Sequence, residues 1–122
     1  MAKKILIVED ETSIIQLYKL KFMEAKYEVF EASTGVAGLE IAKKEKPDII
    51  LLDIIIPQYD GFAVLEMLKQ DPATKNIPVI LLTNLAQEED KNRGVKLGAK
   101  DYLVKANFTP SEVLKKVKAH LK

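Results

Sequence analysis

Three unbroken aliphatic runs, Ile-Leu-Ile-Val at residues 5–8, Ile-Ile-Leu-Leu at 49–52 and Val-Ile-Leu-Leu at 79–82, limit what this chain can fold into more than any other feature. A strand with one face in water alternates apolar and polar residues. Runs without alternation are buried on both faces, which marks a parallel sheet covered by helices on either side. Shorter β-rich segments at 29–30 and 102–104 bring the number to five. Helical periodicity fills the intervals: Ile14, Leu17, Tyr18, Phe22 and Ala25 fall on one face, as do Phe62, Leu65 and Leu68, and later Val113, Leu114, Val117 and Leu121. Thr109-Pro110-Ser111-Glu112 supplies a cap, a proline at the first helical position and a capping-box acid, and Gly98 is placed to stop the preceding helix. The predicted class is α/β, a (βα)5 unit. No Gly/Ser/Pro-rich linker, charge block or repeat divides the chain, so one domain is expected over residues 1–122. The weakest helix lies at 87–97, where only Val95 and Leu97 are apolar, and it is expected to be exposed and mobile.

Composition removes several functions. With no cysteine and one histidine, the chain has no disulfide framework, no thiolate nucleophile and no Cys- or His-built metal site. A Ser-His-Asp triad would depend on His120, at a terminus expected to fray. The longest apolar run, 49–56, is interrupted by Asp53 and far shorter than a membrane span, and the N-terminal apolar stretch is too short for a signal peptide. A soluble, cytoplasmic protein without a membrane partner is expected. A net charge of +1 gives no electrostatic footprint for nucleic acid, and Lys115, Lys116 and Lys118 read as a solvated face.

In an open α/β sheet, ligands sit at the carboxyl ends of the strands. Those ends carry Glu9-Asp10, Asp53, Thr83 and Lys105, all on one edge if the sheet is parallel. Each has a plain alternative: the acids could complement a helix dipole, Thr83 could be a strand or cap residue, and Lys105 could be solvated. Asp53 is harder to dismiss, because a carboxylate inside Ile-Ile-Leu-Leu-Asp-Ile-Ile-Ile costs several kcal/mol on burial unless a cation receives it, on the order of values for unpaired charges. Clustered carboxylates suit Mg2+, and a lysine opposite them leaves a place for a phosphoryl group that the Thr83 hydroxyl can reach. A nucleotide-binding relative of this fold is disfavoured, since Glu9-Asp10-Glu11 would repel a phosphate where such proteins offer glycine or hydroxyl residues. An aspartyl-nucleophile phosphatase would need a second acid where Ile55 stands.

The whole set resembles the receiver (response-regulator) domain of two-component signalling. The resemblance rests on Glu9-Asp10, on Asp53 followed by Pro57 and Asp60-Gly61, on Thr83, and on Tyr102 three residues before Lys105. It implies a doubly wound, flavodoxin-like sheet of order 2-1-3-4-5 with helices on both faces. It also implies that Asp53 accepts a phosphoryl group from a phosphohistidine of a sensor histidine kinase or histidine phosphotransfer protein, without multi-turnover catalysis. Asp10, Asp53 and the Ile55 carbonyl would ligate Mg2+, with Glu9 acting directly or through water. Lys105 would neutralise phosphoryl charge, and Thr83 and Tyr102 would switch the face formed by helix four, strand five and helix five. The resemblance further implies that Ile55 and Leu85 lie over the approach of a hydrolysing water, giving slow self-dephosphorylation.

Three positions depart from the family pattern. Ala106 follows Lys105 where a cis proline is usual; a cis bond at a non-proline residue costs about 3 kcal/mol, so this peptide is either strained or trans. Asn84 replaces a small residue and narrows the entrance, and Ile56 replaces a methionine at similar volume. These departures keep a second reading open, a receiver-like interaction module that is not phosphorylated. The sequence stops after the fifth helical segment, so output is expected through protein partners, either as a stand-alone receiver or as one domain of a longer protein.

Overall fold

The computed structural model describes residues 2–121. Among them the chain alternates β1 (Lys4–Val8), α1 (Thr12–Glu24), β2 (Glu28–Ala32), α2 (Gly35–Glu45), β3 (Ile49–Leu52), α3 (Gly61–Gln70), β4 (Val79–Thr83), α4 (Glu88–Lys96), β5 (Asp101–Val104), a 3-10 turn (Lys105–Asn107) and α5 (Pro110–His120). The five strands form one parallel sheet in the order β2-β1-β3-β4-β5, as expected.

Strand pleating sends alternate residues to opposite faces, and the aliphatic runs therefore feed two cores at once. Ile5, Ile7, Ile49, Leu51, Ile80, Leu82 and Leu103 meet Tyr18 and Phe22 of α1 and Val113 and Val117 of α5. Leu6, Val8, Ile50, Leu52, Val79 and Leu81 meet Ala42 of α2 and Phe62, Leu65 and Leu68 of α3. The edge strand β2 is half-exposed and longer than the two residues read from sequence.

The α1 face needs a correction. Ile15, Tyr18 and Phe22 are the buried residues, while Leu17 is 53% exposed, with Leu20 at 62% and Met23 at 53%. Tyr18 and Phe22 set the buried stripe. Its preceding turn is completed by Ile15, three residues before Tyr18, and Leu17 lies about 100° round the helix from Tyr18. The polar segment near residue 90 is helical and exposed, with Gly94 its buried residue among those described. Gly98, at φ 104°, follows that helix in the left-handed conformation, donating its N–H to the Val95 carbonyl. The Thr109 capping box forms as read, Thr109 Oγ1 accepting from the Glu112 N–H and Glu112 Oε1 from the Thr109 N–H. The end of α5 is tied down rather than frayed: His120 Nε2 lies 3.0 Å from Asp101 Oδ2.

Candidate functional site

Parallel pairing brings the carboxyl ends of β1, β3 and β4 level, because Val8 lies opposite Leu52 and Leu52 opposite Leu81. The backbone ladder then runs one step past the strands. The Glu9 N–H donates to the Ala32 carbonyl at 2.9 Å and the Asp53 N–H to the Val8 carbonyl at 3.0 Å, so both acids keep the register of the sheet. Thr83 is the last residue of β4 and is fully buried. Lys105 opens the 3-10 turn rather than ending β5, which stops at Val104 opposite Thr83.

These residues meet. Glu9 and Asp53 are 3% and 6% exposed, and Lys105 Nζ donates to Glu9 Oε1 and, at 2.7 Å, to Asp53 Oδ2. Asp53 Oδ1 accepts from the Ile54 N–H at 2.7 Å and the Ile55 N–H at 3.3 Å. Glu9 Oε2 accepts from the Glu11 N–H. The cation that must receive a buried Asp53 is thus Lys105. Carboxylate oxygens of Glu9, exposed Asp10 and Asp53 lie within 4.8 Å of one another. They border a cleft of about 280 Å³ lined also by Glu11, Ile55, Thr83, Asn84 and Lys105. A donor set made only of carboxylates fits a hard divalent cation such as Mg2+ and suits no soft metal.

The electrostatics follow from burial and pairing. Burial pushes the Glu9 carboxyl above its ordinary value, and the hydrogen bond from Lys105 offsets this only in part. For Lys105, burial works downward, but the hydrogen bonds and charges of Asp53 and Glu9 outweigh it and hold the ammonium above the usual lysine range.

Behind the cleft lies a second group. Tyr102 turns inward and its hydroxyl donates to the Leu85 carbonyl at 2.6 Å, while the Leu85 N–H makes a long 3.4 Å contact with Thr83 Oγ1. Burial, with Asp90 and Asp53 nearby, pushes the Tyr102 phenol up to about 12. Leu85 therefore departs from expectation: its side chain packs on the core between the sheet and α3, and it is absent from the cleft lining, which Ile55 and Asn84 share instead. The peptide after Lys105 is trans, as are all described peptide bonds. Sequence reading missed Gly61 as a packing residue. A methyl group there would sit 2.3 Å from the Asp53 carbonyl oxygen, so only glycine lets α3 begin this close to the acid; the Asp60-Gly61 pair was the available signal.

Comparison with known proteins agrees with this geometry. The family model described as response regulator receiver domain matches residues 5–118. The alkaline phosphatase synthesis transcriptional regulatory protein PhoP of Bacillus subtilis is 43% identical over 122 residues, all of this chain and 50% of the relative. The chain spans about half the length of the curated relatives it matches. Among solved structures, the Vibrio cholerae chemotaxis protein CheY4 superimposes with a TM-score of 0.90 at 32% identity, covering 98% of each chain. The BeF3-activated DrrB receiver domain gives a TM-score of 0.86 at 33% identity over 99% of this chain and 98% of that one. With the family model matched over nearly its whole length, this chain belongs to the response regulator receiver domains of two-component systems.

Proposed function

We propose that Asp53 is a phosphoacceptor, taking a phosphoryl group from a phosphohistidine on a sensor histidine kinase or histidine phosphotransfer protein. The observation that carries this reading is a buried carboxylate paired with a lysine at the floor of an open acidic cleft. A carboxylate oxygen of Asp53 forms the new P–O bond as the donor's P–N bond breaks, and the departing imidazole nitrogen keeps the electron pair. Lys105, already on Asp53 Oδ2, shifts by one hydrogen bond to neutralise a phosphoryl oxygen. The Thr83 hydroxyl donates to another. Glu9, Asp10 and Asp53, with the Ile55 carbonyl, would hold Mg2+, which when bound supplies positive charge to the phosphoryl oxygens.

The donor must cover the cleft, and α1 begins at its rim, immediately after Glu11. Exposed Leu17, Leu20 and Met23 wind along α1 from there, an apolar strip suited to an apolar face of the donor protein. When Thr83 turns to the phosphoryl group, Tyr102 is free to hold its inward position, and the surface of α4, β5 and α5 changes for a protein target. The chain is a phosphorylated switch acting in the cytoplasm and not a multi-turnover enzyme.

The test is mass spectrometry after incubation with acetyl phosphate and Mg2+. The expected result is a gain of one phosphate, mapped to Asp53 and abolished in Asp53→Asn with the fold intact. No gain in the parent protein would favour the unphosphorylated interaction module, and undiminished labelling of Asp53→Asn would refute the site.

A further inference from the structure

The attachment of α4 shows a device that the Thr83–Tyr102 pair does not account for. This helix buries little: Val95 is 63% exposed, and the first turn is Glu88-Glu89-Asp90. Besides Leu97 at its C-cap, which packs on the core, two adjacent residues hold it. A methyl group on Gly94 would lie 2.6 Å from Leu81 Cδ1 and 3.2 Å from Tyr102 Cδ2, so the backbone of α4 rests directly on β4 and on the switch tyrosine. Glycine is among the weakest helix formers, and this close seat explains its use.

The neighbouring Arg93 reaches elsewhere. Its guanidinium carbon stands 4.3 Å from the centre of the Phe62 ring. Phe62 is buried in the first turn of α3, next to Gly61, whose backbone lies against the Asp53 carbonyl and the Ile54 Cα and whose N–H donates to the Ile54 carbonyl at 2.9 Å. The loop that carries Asp53, the start of α3 and α4 are thus in unbroken contact.

We propose that the Arg93–Phe62 stack is a second clasp on α4, joining it to the Asp53 loop through α3 and keeping it seated on an inward Tyr102. The inference rests on the reading of Asp53 as phosphoacceptor. Gly94, next to Arg93, rests on the Tyr102 ring, so in this proposal an outward turn of the ring unseats α4 and parts the stack, and the clasp favours the inward arrangement by that difference. A phosphoryl group that favours the same arrangement must then bind more weakly when the clasp is lost, because coupling between two sites is reciprocal. Arg93 acts here as a positioning residue. An exposed cation–π contact supports an effect of about two- to fivefold.

The experiment uses Arg93→Ala, Arg93→Gln and Phe62→Leu, which removes the ring but keeps an apolar side chain, with Lys96→Ala as a control that removes a charge from α4 without touching the stack. Ring resonances of Tyr102 are followed by NMR, first without ligand and then in a titration with beryllofluoride and Mg2+. Expected are a shift of Tyr102 toward an outward environment in all three clasp variants and a two- to fivefold weaker beryllofluoride affinity, with Lys96→Ala like the parent. A double variant Arg93→Ala, Phe62→Leu should be no worse than either single one. If the parent binds beryllofluoride and the clasp variants match it in both readouts, the clasp is refuted while the receiver reading stands. If the parent binds none, the receiver reading falls and takes the link to Asp53 with it.

Discussion

Replacing Lys105 by methionine keeps the apolar stem and removes the one positive charge paired with Glu9 and Asp53 among the described residues. Both carboxylates are buried and both are bonded to that ammonium. Breaking such a pair from one side is destabilising by about 3–5 kcal/mol. A second figure comes from titration, because the variant can relieve the repulsion by protonating one carboxyl, which can then hydrogen-bond the other. For a group of ordinary pKa 4.5, holding the proton at pH 7 requires about 1.4 kcal/mol per pH interval, or about 3 kcal/mol. The two figures meet at about 3 kcal/mol, which is the expected loss at pH 7. The sign follows from proton counting. In the variant the folded state binds more protons than the unfolded state above pH 4.5, so the deficit grows as pH rises and fades as pH falls toward that value. Mg2+ should close most of the gap, and the variant should bind it more tightly than the parent, since no ammonium competes for the same oxygens. Urea unfolding of parent and variant at pH 5 and pH 7, each with and without Mg2+, measures all of this. A deficit that is equal at both pH values and indifferent to Mg2+ would mean that Lys105 stabilises through packing and that the charge argument is wrong.

Other outcomes can be checked on the same material. Ile55→Asn should speed loss of phosphate from Asp53 by about tenfold, or about 1.4 kcal/mol in the barrier, by giving the attacking water a polar partner; phosphate release from isolated phosphoprotein reads it, and an unchanged rate removes Ile55 as an apolar lid. Because burial holds the Glu9 carboxyl above 4.5, Mg2+ affinity should still be climbing with pH beyond that value, and Glu9→Gln should flatten the climb in calorimetric titrations. Asp10→Ala should weaken Mg2+ more than Glu9→Ala does, as Glu9 is already engaged by Lys105. Leu20→Glu should slow transfer from a phosphohistidine donor severalfold while leaving uptake from acetyl phosphate unchanged; equal loss with both donors would show that the α1 strip does not hold the partner.

What could be read from sequence follows the reach of the sheet. Glu9, Asp53 and Thr83 lie at most one residue past a strand, where the ladder still dictates which way the backbone faces, so residue type and position sufficed to gather them. Two residues beyond Asp53 and Thr83 that control has lapsed. Ile55 lines the cleft, whereas Leu85, at the matching offset after Thr83, turns into the core and leaves its place to Asn84. The loop after Ile56 was equally opaque, since Gln58 and Tyr59 adopt φ of 54° and 74° without the glycine or asparagine that normally announces such a turn. Helix α1 was misread by one position because an apolar strip reserved for the surface obscures the buried one. Helix α4 gave the least signal: with Gly94 as its buried residue it has no hydrophobic period, and its seat depends on Leu81, Tyr102 and Phe62 from three other elements. A helix held by so few contacts is weakly specified by its own residues and opens at low free energy. That is the property a phosphorylation site needs in an element it is to move, since a coupling of 1–3 kcal/mol, typical between linked sites, can redistribute only states that differ by about as much.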